Sequence, residues 1–194
     1  MIIYAATILF SSFLLFLVQP IIAKQILPWF GGSAAVWSTC LVFFQVALLG
    51  GYAYADLSNR LLKPRAQSTI HVVLLLASMA ALPVVAAAGW KPVGDEEPLW
   101  RILGMLLATV GLPFFVLATT APLIQSWFAR EHADPVVAVR VYRFFALSNL
   151  GAIVGLLAYP FAIEPWFSTR TQAIGWSVGY ALFAMLCIAS AWRA

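Results

Sequence analysis

Charged residues are scarce in this chain of 194 residues. Lys, Arg, Asp and Glu together make up 9% of it, whereas soluble domains contain about 25%. The shortage excludes a soluble globular domain and a disordered chain, because both depend on charge to stay solvated. The 11 basic residues stand singly or in short groups, which argues against a nucleic-acid-binding surface. Two cysteines are too few for a disulfide-stabilised scaffold.

Apolar residues fill the chain instead. They make up 63% of it, the mean hydropathy is +0.95, and six stretches of 20 to 31 residues contain no charged residue. A membrane-spanning helix needs about 20 mostly apolar residues, so each stretch has room for one helix only. We therefore predict an all-α polytopic membrane protein, a single six-helix transmembrane domain over residues 1–194. The predicted spans are residues 2–22, 34–54, 67–88, 99–127, 143–162 and 171–192.

Basic residues in the loops predict the orientation of these spans. Loops on the cytoplasmic side of a membrane carry an excess of Lys and Arg. One side of the predicted bundle has seven basic residues: Arg60, Lys63, Arg65, Arg130, Arg140, Arg143 and Arg193. The other side has four: Lys24, Lys91, Arg101 and Arg170. Both termini are therefore expected on the cytoplasmic side.

Two pairs of glycines are spaced four residues apart in the last two predicted helices. Gly151 and Gly155 lie in the fifth helix, and Gly175 and Gly179 lie in the sixth. This spacing places small residues on one face, where another helix backbone can approach closely. We expect both pairs to be packing surfaces, either inside the bundle or against a partner, and we favour the first.

No charged residue falls in the middle of a predicted span, which argues against a proton-coupled carrier with a buried carboxylate. Five uncharged polar residues at depth either line a cavity or form hydrogen bonds between helices: Gln45, Thr119, Thr120, Ser148 and Asn149. For Gln45 we favour a hydrogen bond, and both alternatives stay open for Asn149. The two threonines lie between Pro113 and Pro122, where they could satisfy carbonyls freed by the prolines.

Lys24 and Glu164 fall near the outer ends of the first and fifth predicted helices. A lysine can extend its charged end toward the membrane surface, which would bring it within reach of Glu164. Because exposed ion pairs stabilise little, we expect this pair to be a positioning contact.

Motifs of catalysis and of metal or cofactor binding are missing. The sequence contains no glycine-rich dinucleotide or phosphate loop, no Gly-x-Ser-x-Gly and no His-Glu-x-x-His. His71 and His132 have no partner at metal-ligand spacing. Cys40 and Cys187 lie at different depths and are interpreted as small apolar fillers rather than a disulfide. We therefore expect no enzymatic activity, no metal and no cofactor.

The turn after the second predicted helix contains Gly51, Asp56 and Arg60. This order of glycine, aspartate and basic residue resembles the loop between helices two and three of major facilitator carriers. Asn59 departs from that loop, because a glycine is usual at its position. The resemblance implies a gating role for Asp56 and Arg60.

A second set of motifs extends over almost the whole chain: Leu17-Val18-Gln19-Pro20, Gly31-Gly32-Ser33, Thr119-Thr120-Ala121-Pro122, Ser148-Asn149-Leu150-Gly151, Ala158-Tyr159-Pro160 and Glu164-Pro165. Together they resemble the membrane half of bacterial fused major-facilitator/spermidine-synthase-like proteins. The resemblance implies half of a major facilitator fold, in the inner membrane of a bacterium. It also implies a cytoplasmic synthase- or methyltransferase-like partner, whose nucleoside-binding Gly-Gly-Gly-Asp-Gly motif is found nowhere in this sequence.

Two hypotheses for the function remain open. The first is a non-catalytic module that lies in the lipid bilayer and anchors or assembles with a partner, either a second copy or another membrane or soluble protein. The alternative is a half-size solute carrier for polyamines or another small metabolite, working as a dimer. The missing buried charge favours the module, because a buried polycation needs carboxylates around it.

Reporter fusions test the predicted orientation. Fusions after Lys91 and after Glu164 should report the periplasm, and fusions after Lys63 and after His132 the cytoplasm, because the positive side faces inward. Alkaline phosphatase and green fluorescent protein activities, compared across the series, measure the location of each site. An inverted pattern would contradict the orientation.

Overall fold

The computed structural model describes residues 1–92, 94, 97–131 and 135–192. His132 and Arg193, which the sequence analysis used, lie outside these residues. The described chain contains no strand, and its α-helices are α1 (Ile2–Phe30), α2 (Ala34–Leu61), α3 (Pro64–Ser78), α4 (Pro98–Leu106), α5 (Leu112–Glu131), α6 (Pro135–Ala158) and α7 (Thr169–Ala191). Turns of wider, π-helical geometry join α4 to α5 at Leu107–Gly111 and extend α6 at Tyr159–Ile163.

Five helices of the described chain are long and apolar enough to cross a membrane: Ile2–Phe30, Ala34–Leu61, Pro98–Arg130, Val141–Ile163 and Thr169–Ala191. The prediction of an all-α, multi-pass membrane protein is confirmed at this level. The count of six spanning helices is not confirmed, because the third predicted span does not form one long helix.

The third predicted span, residues 67–88, is helical over only part of its length. α3 ends at Ser78, and a tighter helical turn continues over Met79–Ala81. Residues 82–87 are not helical. Pro83 explains the break, because a proline disfavours helical geometry in the preceding residue and has no N–H for the helix hydrogen bond.

The backbone of this non-helical segment (residues 82–87) bonds to side chains of α1 and α7. The Gln25 side-chain amide donates to the Val84 carbonyl at 3.1 Å and accepts from the Ala86 N–H at 2.9 Å. The Ser177 hydroxyl oxygen accepts from the Val84 N–H at 3.1 Å. An unpaired backbone group is costly inside a membrane. These side chains therefore make the break in the helix tolerable.

α1 is the central helix of the bundle. It packs against α5, α6 and α7, and more lightly against α2. Its buried side chains, among them Leu14, Val18 and Ile22, belong to the main apolar core. α2 packs chiefly on α5, and α6 packs chiefly on α1. Both α2 and α6 consequently keep most of their surface exposed.

The two ends of the bundle differ in the polar residues that they hold. Thr7 near the start of α1 hydrogen-bonds to Ser190 near the end of α7, with 3.1 Å between their oxygens. Gln67, at the start of α3, lies at this same end, and we name it the Gln67 end. The opposite end, where α1 finishes and α7 begins, holds Lys24 and is named the Lys24 end.

Close backbone contact at two glycines joins α6 to α1. A Cβ atom on Gly155 would lie 2.6 Å from the carbonyl oxygen of Phe13, and a Cβ on Gly151 would overlap the carbonyl oxygen of Leu9. Only a residue without a side chain permits this approach. Gly151 and Gly155 therefore pack inside the bundle.

The other glycine pair brings no two backbones together. Nothing lies within 4 Å of a Cβ built on Gly175, and Gly179 faces only the side chains of Leu14 and Phe10. The close contact between α2 and α5 instead occurs at Gly51, where a Cβ would lie 2.6 Å from that of Ala118. The sequence analysis did not single out Gly51 for packing, because no second glycine stands four residues away.

Alanine substitution should separate the two pairs. Gly151→Ala should destabilise the fold by about 1–3 kcal/mol, because the added methyl group enters occupied space. Gly175→Ala is the matched control and should be neutral or stabilising by up to about 1 kcal/mol, because the site is open and alanine favours the helix. Thermal unfolding of the purified variants in one detergent measures both effects. Equal stability of the two variants would contradict the contact between α1 and α6.

Candidate functional site

Thr119 and Thr120 are buried in α5, but they do not satisfy the carbonyls that the prolines free. Both hydroxyl groups donate to the Val116 carbonyl, at 2.7 and 2.8 Å. The carbonyl left without a helical donor by Pro122 is that of Ala118, four residues earlier. The expected role of the two threonines is therefore corrected: they bond within their own helix turn.

The remaining deep polar residues do not converge on one cavity. Ser148 bonds to Ser12 of α1, with 2.8 Å between the hydroxyl oxygens. Gln45 lies on the exposed side of α2, and the hydrogen bond expected for it is not formed with any described residue. Asn149 is likewise exposed, on α6. Two amide side chains thus face outward from helices that are otherwise apolar.

Asp56 and Arg60 form an ion pair on the last turns of α2. The Arg60 Nε lies 3.0 Å from the Asp56 Oδ1, and both side chains are more than half exposed. Residues four apart on a helix are neighbours, and such exposed pairs contribute little to stability. The pair therefore sits on the surface at the Gln67 end.

A groove at the Lys24 end brings charged and polar side chains to one cavity. The cavity has a volume of about 450 Å³ and lies between α1, α2 and α6. Most of its wall is apolar. The lining residues are Gln19, Pro20, Ala23, Lys24, Leu27, Trp37, Cys40, Leu41, Phe44, Leu156, Tyr159 and Glu164.

Lys24 and Glu164 form an ion pair across this groove. The Lys24 Nζ lies 3.0 Å from the Glu164 Oε1, and their side chains are 35% and 45% exposed. The pairing anticipated from the sequence is therefore present. It joins α1 to the end of α6 while leaving both charged groups accessible.

The wide turn at the end of α6 positions Glu164. The Glu164 N–H donates to the carbonyl of Tyr159, five residues earlier, at 2.8 Å. Pro160 within this turn has no N–H to donate, which disfavours regular α-helical bonding there. Wide turns of this kind are frequent at functional sites. Here the turn places the carboxylate of Glu164 over the last turns of α1.

Tyr159 brings an unused polar atom to the groove. The residue is 7% exposed, and its hydroxyl group has no hydrogen-bond partner among the described residues. A buried hydroxyl without a partner costs free energy, so it is usually bonded in native proteins. The lining of the groove thus includes the Lys24 ammonium group, the Glu164 carboxylate and the Gln19 amide. The unpartnered hydroxyl group of Tyr159 is buried behind it.

A separate polar cluster lies at the Gln67 end and was missed by the sequence analysis. The fully buried Gln67 side chain donates to the Asn59 Oδ1 at 2.7 Å and accepts from the Trp127 indole N–H at 3.0 Å. Arg130 also donates to its carbonyl oxygen. The cluster ties α3 to α2 and α5. The feature of the sequence that could have indicated this cluster is the position of Gln67 at the start of the third apolar stretch.

His71 lies one helical turn beyond Gln67 and is buried in the core. Its Nε2 lies 3.6 Å from the Cys187 Sγ, and its ring stacks with that of Tyr54. Three or more His, Cys, Asp or Glu side chains that could hold a metal do not gather anywhere in the described ranges. His71 is therefore a packed core histidine.

The Lys24–Glu164 pair should matter little for stability, unlike the neighbouring Gln25. Glu164→Gln should change the free energy of unfolding by less than about 1 kcal/mol, because the pair is exposed. Gln25→Leu should cost about 1–3 kcal/mol for each backbone group left unpaired at Val84 and Ala86. Chemical unfolding of both variants in the same micelles measures the difference. A larger loss in Glu164→Gln would contradict the exposed position of the pair.

Comparison of the chain with protein-family models, with curated proteins and with solved structures finds no match in any of the three. The resemblance to the membrane half of the fused major-facilitator/spermidine-synthase-like proteins therefore stays a prediction.

Proposed function

We propose that the chain is a non-catalytic integral membrane module that assembles with a partner through α2 and α6. The observation that carries the proposal is the outward position of Gln45 and Asn149. An amide without a hydrogen-bond partner is costly in hydrocarbon. A partner helix with polar side chains at the same depth would satisfy both amides, as polar residues do between membrane helices.

Helical spacing places both amides on the faces that border the groove. Gln45 follows Leu41 by four residues, and Asn149 precedes Leu156 by seven, so each shares a helix face with a residue of the groove wall. α2 and α6 also expose apolar side chains on these faces, Leu41 and Leu156 among them. The two helices therefore form one candidate surface on both sides of α1, which we name the α2–α6 face.

The inside of the bundle supports assembly over transport by a single chain. The buried threonines of α5 bond within their helix, and Ser148 is used by Ser12. A carrier needs a polar site near the membrane midplane. Among the polar groups at that depth, Gln45 and Asn149 face outward, and the Gln19 amide lines the groove between α1, α2 and α6.

The partner in this proposal is a second copy, or another membrane or soluble protein. The sequence resemblance favours a synthase- or methyltransferase-like protein on the cytoplasmic side. Six crossings of a bacterial inner membrane, with both termini in the cytoplasm, belong to the same proposal. The third crossing would then combine α3 with the non-helical segment.

A half-size carrier that works as a dimer is the second candidate, and the groove is the observation that favours it. Two α2–α6 faces together would enclose a cavity lined by Lys24, Glu164, Gln45 and Asn149. Polyamines fit this cavity poorly, because the carboxylate of Glu164 is already paired with Lys24 and a polycation needs several carboxylates.

Leucine substitutions test assembly through the α2–α6 face. Gln45→Leu and Asn149→Leu should each weaken association by roughly threefold to thirtyfold. This factor corresponds to the free energy of one hydrogen bond between membrane helices. Val178→Leu is the matched control, because Val178 is exposed on α7 away from the groove. Light scattering with size-exclusion chromatography in micelles measures the self-association, and co-purification measures the partner.

Two outcomes would contradict assembly through this face. The first is unchanged association in the double variant Gln45→Leu and Asn149→Leu. The second is saturable uptake of labelled spermidine by liposomes that contain the chain alone, lost in Asn149→Leu, which would establish the carrier.

A further inference from the structure

We propose that the Lys24 end of the groove binds the head group of a phospholipid that carries both a phosphate and a primary amine. The lipid phosphate would contact the Lys24 ammonium, and the lipid ammonium would contact the Glu164 carboxylate. The acyl chains would lie along the apolar wall toward Phe44. The edges of this site, Leu41 and Leu156, also belong to the α2–α6 face, so lipid binding and partner assembly are measured separately below.

The charges of the groove select a ligand with both signs. Lys24 and Glu164 are 3.0 Å apart and partly exposed, so a purely anionic ligand would bring its charge beside the carboxylate. A purely cationic ligand would meet the ammonium group in the same way. A ligand with one charge of each sign can place its anion beside the Lys24 ammonium and its cation beside the Glu164 carboxylate. Each of the four charges then has a neighbour of the opposite sign.

The Tyr159 hydroxyl group supplies a third contact to the head group in this proposal. Tyr159 lines the groove, and its buried hydroxyl group is bonded to no described residue. A hydroxyl donor binds a phosphate oxygen strongly, because the acceptor is charged. Tyr159 is therefore expected to bond to the phosphate beside Lys24.

The walls of the groove favour a lipid over a water-soluble zwitterion. Apart from Gln19, the wall beyond the charged pair consists mainly of apolar side chains, and Leu41 and Leu156 at its edges are 55% and 49% exposed. These edges belong to helices of membrane-spanning length, so the groove opens sideways toward the bilayer. An acyl chain can enter this opening and bury apolar surface.

The depth of Lys24 fits a head group. α1 has 29 residues and is roughly 43 Å long at 1.5 Å per residue, which exceeds the hydrocarbon thickness of about 30 Å. Lys24 precedes the end of α1 by six residues, or roughly 9 Å. Its ammonium group therefore lies where the hydrocarbon gives way to phosphate and amine groups.

Lipid selectivity of the purified full chain tests the proposal. Native mass spectrometry of micelles doped with phosphatidylethanolamine, phosphatidylcholine or phosphatidylglycerol, all with the same acyl chains, measures the lipid retained. Phosphatidylethanolamine should bind roughly tenfold more tightly than the other two, the worth of one charge-assisted hydrogen bond. Phosphatidylcholine has no N–H for Glu164, and phosphatidylglycerol has no cation.

Substitutions then assign the contacts. Glu164→Gln should reduce phosphatidylethanolamine binding to the level of phosphatidylglycerol, and Tyr159→Phe should weaken both lipids by a similar factor. Lys24→Gln should also weaken both, and it serves as a second variant if Glu164→Gln unfolds. Asp56→Asn is the matched control, because it removes a carboxylate from an exposed pair at the opposite end, and it should leave binding unchanged.

Three results would overturn the proposal. One is equal retention of the three lipids. Another is an unchanged preference for phosphatidylethanolamine in Glu164→Gln. The last is competition by free phosphoethanolamine as strong as that by the lipid, which would identify a water-soluble ligand. Association of the chain in the same samples is read separately, so a failure of partner assembly is distinguishable from a failure of lipid binding.

Discussion

The close approach of α6 to α1 at Gly151 and Gly155 is the constraint on which the charged end of the groove depends. Because carbonyl oxygens of α1 occupy the space of the missing side chains, α6 can neither rotate nor slide by a residue without a clash. The contact thereby sets the register of two helices that run in the same direction. From Gly155 and Phe13 the chains continue to Glu164 and Lys24, which meet at 3.0 Å. The ion pair is a consequence of this register, and so is the outward position of Asn149 on α6. Gln45 is oriented instead by the contact of α2 with α5 at Gly51.

Two consecutive side chains of α1 that bond to other parts of the chain are the second feature that organises the fold. Gln25 and Lys24 are neighbours on α1, yet they serve opposite sides of it: Gln25 bonds to the non-helical segment, and Lys24 to Glu164. One short stretch of α1 therefore holds both the irregular part of the fold and the charged part of the groove. The side chain that supports the irregular backbone and the side chain that forms the ion pair are thus consecutive residues of α1.

The sequence predicts features that depend on composition and spacing along the chain. It does not predict which side of a helix faces the bundle and which side is exposed. Gaps between charges predict six spans and locate the five helices of spanning length, although α1 and α2 continue eight and seven residues beyond their predicted ends. Pro83 breaks the third predicted span, since an apolar stretch records hydrophobicity but not backbone geometry. The packing role of Gly151 and Gly155 could be predicted because both glycines lie on one helix, four residues apart. The outward position of Gln45 could not, because membrane helices are apolar all round and carry no polar stripe to mark the outer face. The Lys24–Glu164 pair was anticipated from depth alone, whereas the cavity beside it depends on how three helices pack.

The non-helical segment has a consequence for how the chain enters the membrane. A complete helix satisfies its own backbone and can leave the translocation channel for the lipid by itself, but residues 82–87 rely on Gln25 from α1 and on Ser177 from α7. Ser177 is synthesised more than ninety residues after Val84. Until α7 is synthesised, the Val84 N–H lacks the Ser177 hydroxyl that accepts its hydrogen bond. The final hydrogen bonding of this segment therefore follows the synthesis of α7, and a chain truncated before α7 would leave the Val84 N–H without this partner.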